Sequence, residues 1–334
     1  MVKVSEQEII NPRKNLLECL SIIFNARITK LYSYTDRVFK EEDVEALHDM
    51  RVSARRLQAV FKIFKGLFPK KEYKKQYNRV RSVVKLLGKV RELDVMIGYI
   101  MNHIYNSTVE DKRILFLLSA RLKKQNLYER KKISENEMLK DFAAHEVQLL
   151  KFMDDSLLNP NKSSTTDPGY NKSFRDYAYM IIPAMYDRVM GYKNSVVGHP
   201  GRKEELHRMR IQTKPLRYAL ETYQNIFAED FKKNLKAVKS FVERLGTIHD
   251  IDVLIPVLKD YMEEINIYNS NLENKLQKIH TAALLEFIRK LNADRKQNFE
   301  ELCDILRKWE SEDFRQKLIM SMENENLESI RSTD

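Results

Sequence analysis

Chain-breaking residues are scarce in this sequence. Its 334 residues include only 8 glycines and 8 prolines, against usual shares of about 7% and 5%. That scarcity points to long helices. No sustained period-two alternation with hairpin turns is present, which argues against a strand-built fold. Cysteine is rarer still. Cys19 and Cys303 lie far apart in apolar, helix-like surroundings. They exclude a disulfide framework and read as reduced core residues of a cytoplasmic protein. No apolar run approaches the roughly 20 residues needed to cross a bilayer. The opening "MVKVSEQEIINPRKN" lacks the apolar core of a signal peptide. A soluble cytoplasmic protein without membrane partners is expected.

What is abundant is positive charge. Lys and Arg number 59 against 48 for Asp and Glu, a formal net charge of +11. Such an excess points to polyanionic partners rather than to a particular fold. Apolar residues make up 43% of the chain, enough for a sizeable core, and the length leaves room for two or three domains.

The chain contains an internal repeat. "LHDMRVSARRLQAVFKIF" at Leu47–Phe64 aligns with "LHRMRIQTKPLRYALETY" at Leu206–Tyr223, at an offset of 159. Identities fall at Leu47/Leu206, His48/His207, Met50/Met209, Arg51/Arg210 and Leu57/Leu216, and Arg55 faces Lys214. "LLGKVRELDVMI" at Leu86–Ile97 matches "RLGTIHDIDVLI" at Arg244–Ile255, at an offset of 158. Near-equal offsets in separate blocks indicate a tandem duplication. The Ser/Thr/Pro/Gly-rich stretch Asn159–Ser173 separates the copies. The expected organisation is a first unit over 1–158, a linker over 159–172 and a second unit over 173–334. Each unit holds four helices, placed near 11–39, 44–67, 71–104 and 110–152, then near 173–194, 202–227, 230–264 and 266–309. A further short helix after Trp309 is an open alternative to fraying. The fold class is all-α, as two pseudo-symmetric antiparallel four-helix bundles.

At about 100° per residue, Met50, Leu57, Val60, Phe61 and Phe64 share one face, which must be core. His48, Arg51, Arg55 and Lys62 form a separate stripe beside it, with Gln58 among them. In the second copy His207, Arg210, Lys214 and Arg217 form the stripe, and Lys203 extends it by a turn. Like charges stacked at these spacings destabilise an isolated helix by a few tenths of a kcal/mol per pair. Only Glu221, in the second copy, relieves them within the stripe. Offsetting charge must come from another helix or from an external polyanion. The third helix of each unit adds Lys74, Arg81, Lys85 and Lys89, and then Lys232, Lys236 and Lys239, interrupted by Glu243. Asp94 and Asp252 lie on the opposite, apolar side and require partners. An Arg or His from the neighbouring second helix is the natural candidate. The paired Leu-Gly steps, Leu87-Gly88 and Leu245-Gly246, suggest close helix packing. Pro215 removes one helix hydrogen bond and predicts a kink.

Motifs for chemistry are missing. His48 has no His or Cys one turn away, and "IHDID" at Ile248–Asp252 is weak as a metal pattern. Neither a Walker A loop nor a paired-carboxylate metal motif is found. No catalytic residue, cofactor or metal ligand is assigned, and the expectation is a binding protein rather than an enzyme.

These blocks resemble the CHAD family, the conserved histidine α-helical domain. The resemblance rests on "LHDMRVSARRL" with "LGKVRELDVM" and on "LHRMRIQTKPLRY" with "LGTIHDIDVL", and it spans about residues 11–309. It implies two four-helix bundles related by a pseudo-twofold axis. Their basic helices would line a central groove or pore that binds inorganic polyphosphate, with recruitment to polyphosphate granules. By matching position it carries polyanion binding onto His48, Arg51, Arg55 and Arg56, and onto His207, Arg210, Lys214 and Arg217. Gln58 and Pro215 depart from the pattern. Nucleic acid is the second partner class, disfavoured because the stripes lack interleaved aromatics. A phosphate-processing enzyme using His48 or His207 is the third. Binding through the two histidines is expected to strengthen as pH falls through 6–7.

Overall fold

Asn15 and Ser173 stand 158 positions apart and do the same work. Each caps a helix with its side chain, Asn15 on Leu17 N–H and Ser173 on Asp176 N–H, satisfying donors that the helix leaves open. In the computed structural model they also form an antiparallel bridge. Leu16 N–H donates to Lys172 O at 3.3 Å, and Phe174 N–H donates to Lys14 O at 3.2 Å. This reciprocal pair ties the start of the first helix to the start of its counterpart in the second repeat. The structure describes residues 14–39, 44–106, 112–135, 141–158, 171–274 and 277–323. Most of the expected linker lies outside them.

Among the described residues the chain is helical, with no strand. The first repeat contains α1 (Leu16–Tyr32), α2 (Thr35–Phe39), α3 (Val44–Ile63), α4 (Lys70–Asn106), α5 (Arg113–Ser134) and α6 (Phe142–Met153). The second contains α7 (Phe174–Met190), α8 (Lys193–Val196), α9 (Lys203–Tyr223), α10 (Glu229–Ser270), α11 (Ala282–Ser311) and α12 (Phe314–Met320). α1 and α7 have 17 residues each. The long third helices, α4 and α10, run for 37 and 42 residues. α10 extends past the expected end at 264 because nothing in "EINIYNS" breaks a helix. The fourth helix expected over 110–152 is instead two helices, α5 and α6, whereas its counterpart α11 is continuous. The short helix after Trp309 is α12, whose start is fixed by Asp313. Its backbone takes φ 45° while its side chain accepts from Gln316 N–H. α9 continues through Pro215 to Tyr223.

The core does not divide at the repeat boundary. One apolar cluster joins α1, α3, α6, α7, α9 and the starts of α4 and α10, with Phe24, Phe61, Phe64, Phe174, Tyr223 and Phe241 fully buried. A second cluster is built where α4 and α5 meet α10 and α11, around Ile100, Leu118, Leu254 and Leu284. Fully burying such side chains contributes roughly 1.5–3 kcal/mol each, so packing between the repeats adds to the packing within each. Cys19 and Cys303 sit in this core, 0% and 3% exposed, and burial pushes the Cys19 thiol up to about 12.

Asp94 and Asp252 do find cationic partners, but mainly on the fourth helix. Arg130 of α5 reaches both oxygens of Asp94 at 3.3 Å, and Asn126 donates to Asp94 at 2.9 Å. Arg295 of α11 reaches Asp252 at 2.8 and 3.1 Å, joined by Lys203 from the start of α9 at 3.0 Å. The expected second-helix partner is therefore present only as Lys203. The reason is helical phase. Both aspartates lie on the flank of the third helix that turns toward the fourth. Gly88 and Gly246 also differ from expectation. A methyl group added at either would meet nothing within 4 Å, so these glycines do not serve close packing.

Candidate functional site

The two histidine helices pack against one another. The apolar faces predicted from spacing, with Met50, Leu57, Met209 and Leu216 all at 0% exposure, turn inward and hold α3 and α9 in the shared core. Their basic stripes are thereby left side by side. Arg27 of α1 fastens the pair. It donates to Arg56 O of α3 at 3.3 Å and to Thr222 Oγ1 of α9 at 3.1 Å.

Where the stripes meet, cations from both repeats gather. Arg51 is half-buried beside Arg55 and Arg91, and its guanidinium is held down at about 10 by burial first and those neighbours second, with Tyr218 and Asp250 opposing. Arg210 is lowered by burial and by Arg55, against Asp250. Lys214 is held down to about 7, by burial and then by Arg210, Arg55 and Arg51, again with Asp250 opposing. Asp250 is itself raised by burial, against the pull of Arg210, Lys214, Arg91 and Arg51. Four cations, Arg210, Lys214, Arg91 and Arg51, thus act on one carboxylate, and Arg55 stands beside three of them. The Nε atoms of Arg51, Arg55 and Arg210 are buried without a hydrogen-bond partner. An unpaired buried donor costs about 1–3 kcal/mol, so an acceptor brought from outside would be strongly favoured here.

The other sequence-derived positions distribute around this centre. His207 is half-buried and faces His249 with ring centroids 5.2 Å apart. They line a cavity of about 200 Å³ with Lys203, Leu245 and Asp252. Burial, then Arg210, His207 and Lys214, push His249 down to about 4. His48 and Arg56 are exposed. Lys62 is lowered by burial, Arg55 and Arg81, which ties it to the centre. Lys74, Arg81, Lys85, Lys89 and Lys236 point to solvent. Several second-repeat cations are neutralised internally. Lys203 pairs with Asp252 at 3.0 Å. Arg217 pairs with Glu221 at 2.9 Å, and Lys239 approaches the same carboxylate at 3.7 Å. Lys232 pairs with Glu229 at 3.2 Å.

Arg91, His249 and Asp250 were not among the residues expected from the stripes. The signal was nonetheless in the second repeated block. At the offset of 158, Arg91 aligns with His249 and Glu92 with Asp250, basic with basic and acidic with acidic. Asp94 and Asp252 are identical across the copies, whereas these two pairs keep only the residue class.

Among the described residues no helix is long and apolar enough to cross a membrane. The CHAD domain family model matches residues 22–259. Two solved structures share the architecture. The crystal structure of the CHAD domain from the plant Ricinus communis superposes with a TM-score of 0.68 at 19% identity, covering 92% of this chain and 96% of that one. PptA from Streptomyces chartreusis gives a TM-score of 0.57 at 14% identity, covering 88% of this chain and 99% of that one. At these identities the likeness is one of fold. No curated protein matches the chain.

Proposed function

The chain belongs to the CHAD domain family, and from that premise we propose that it is a non-catalytic binder of inorganic polyphosphate. One observation carries the reading. Arg51 and Arg91 of one repeat meet Arg210 and Lys214 of the other around Asp250, with Arg55 beside them and three guanidinium Nε donors buried and unbonded. A linear polyanion supplies both missing elements, negative charge and acceptor oxygens. Arginine engages phosphate oxygens through fork-shaped, charge-assisted contacts, and lysine supplies a mobile point charge. A chain of phosphates has no bases to stack or read, and the cluster offers it cations and donors, with Tyr218 beside Arg51; the comparison with RNA below separates the two ligands.

The proposed binding set is Arg51, Arg55, Arg91, Arg210 and Lys214, with His207 and His249 on its flank and Lys62 as its continuation. In this reading phosphate chains are held and not cleaved. Recruitment of the protein to polyphosphate granules in the cytoplasm follows as its cellular consequence.

The test is a titration of the full chain with long polyphosphate, orthophosphate and single-stranded RNA at several salt concentrations. Tight binding of long polyphosphate, weak binding of orthophosphate and a steep loss with salt are expected. Arg51→Glu with Arg210→Glu should abolish binding while circular dichroism stays helical. Equal affinity for orthophosphate and polymer, preferential RNA binding, or release of phosphate from the chain would each reject the reading.

A further inference from the structure

The central cluster draws on both repeats, but its surroundings are not symmetric. Beyond Arg55, the first repeat stays basic. Lys62 lies two turns further along α3, and past the end of that helix an open cleft of about 550 Å³ is lined by Lys62, Lys65, Lys70, Tyr73, Lys74 and Tyr77. Its apolar wall is firm. Tyr73 and Tyr77 stack at 5.5 Å with an interplanar angle of 9°, and both contact Phe61 in the core. None of the four lysines is paired with a carboxylate among the described residues. Glu72, the nearest acid in sequence, lies about 160° round the helix from Lys74. Lys62 belongs to this cleft and also feels the charge of Arg55, so the cleft continues the basic stripe past the neutral Gln58. From Arg51 to Lys62 the rise along α3 is about 16 Å, and the cleft extends the path further.

The corresponding region of the second repeat carries acids at two of these four positions and keeps a lysine, Lys233, only at that of Lys74. At the offset of 159, Glu221 occupies the position of Lys62, Gln224 that of Lys65 and Glu229 that of Lys70. Glu221 occupies Arg217 and Lys239, and Glu229 occupies Lys232. A polyanion following the second stripe would meet carboxylates where the first stripe offers ammonium groups.

We infer that a polyphosphate chain held at the central cluster runs out along the first repeat, through the cleft of Lys62, Lys65, Lys70 and Lys74, and not along the second. The inference rests on the function proposed above and adds a direction and a length preference to it. The centre, rich in arginine and buried donors, fixes a short stretch of phosphates. The cleft, lysine-rimmed and arginine-free, adds a sequence of weaker, mobile contacts that only a longer chain can reach. The gain is one of linked contacts, in which the second set is made at high effective concentration once the first has formed.

The experiment compares tripolyphosphate with long polyphosphate on the full chain, using Lys65→Glu with Lys70→Glu. Both side chains are exposed, so folding should be retained and is checked by circular dichroism. The double variant should bind long polyphosphate about tenfold more weakly, with a shallower salt dependence, and tripolyphosphate within about twofold of wild type. The matching change on the other repeat, Lys232→Glu with Lys236→Glu, should leave both ligands within about twofold. The inference is overturned if Lys65→Glu with Lys70→Glu leaves long-chain affinity intact, weakens both ligands equally, or does no more than the second-repeat pair. The function proposed for the central cluster survives all three of those results. If wild-type protein holds neither ligand, the central site falls and the track falls with it.

Discussion

Replacing Lys214 with methionine should separate stability from binding. Lys214 is half-buried among Arg210, Arg55 and Arg51, and its ammonium titrates at about 7 instead of 10.5. At 1.36 kcal/mol per pH unit this corresponds to an upper bound of about 5 kcal/mol. Solvent reaching a half-buried group reduces it to about 2–3 kcal/mol. The sign follows from proton counting. A base with a lower pKa folded than unfolded binds fewer protons in the native state between the two values. Stability therefore rises with pH from about 7 to about 10.5, and below 7 this group adds no slope. Methionine keeps the length and removes the charge. In urea denaturation at neutral pH, Lys214→Met should gain about 2 kcal/mol and lose most of the rise above neutrality.

The same residue makes binding proton-linked. Phosphate oxygens beside the ammonium restore its proton affinity. At about pH 8.5, wild-type protein should take up close to one proton when long polyphosphate binds, measured by calorimetry in buffers of different ionisation enthalpy. Lys214→Met should take up far less and bind about tenfold more weakly, a loss of about 1.4 kcal/mol. This moves the pH dependence above the range expected for histidine. Affinity should hold below about pH 7 and fall above it. Two results would refute the reasoning: destabilisation by Lys214→Met at neutral pH, or wild-type binding at that alkaline pH without proton uptake.

Three further outcomes check the structure itself. Gly88→Ala and Gly246→Ala should each stabilise the fold by about 0.5–1 kcal/mol, because an added methyl meets nothing within 4 Å and alanine favours helix; a lowered Tm for either would show an unrecognised contact. Phe61→Ala should cost about 3–5 kcal/mol in urea unfolding, since the ring is fully buried against Phe24, Phe68 and Tyr73. Arg295→Met should cost about 1–3 kcal/mol by leaving the half-buried Asp252 with the exposed Lys203 alone; an unchanged midpoint would show that Lys203 suffices.

Helical phase was readable wherever one face had to be apolar. Met50, Leu57, Phe61 and Phe64, placed inside by spacing, are all at 0% exposure, because burial acts on every turn of the helix. Boundaries were less readable. The expected fourth helix over 110–152 is divided into α5 and α6, and the third helix of the second repeat runs on to Ser270, since helix ends depend on what the last turns pack against. The paired aspartates required cations, but the second helix to which the sequence pointed supplies only Lys203, and the arginines come from the fourth. Charge at a given phase is visible along a chain, whereas which neighbour lies opposite is a matter of crossing geometry.

The sequence by itself determined an all-helical chain, its duplication and the cationic stripe carried by each copy, because periodicity and repetition are local in the chain. Only the tertiary structure decided that Arg51 and Arg55 face Arg210 and Lys214, that Arg91 and Asp250 join them, and that Glu221 pairs with Arg217 and Lys239. Those facts depend on how two repeats fold against each other around a shared core, and electrostatic energy is set by distance in space rather than by separation along the chain.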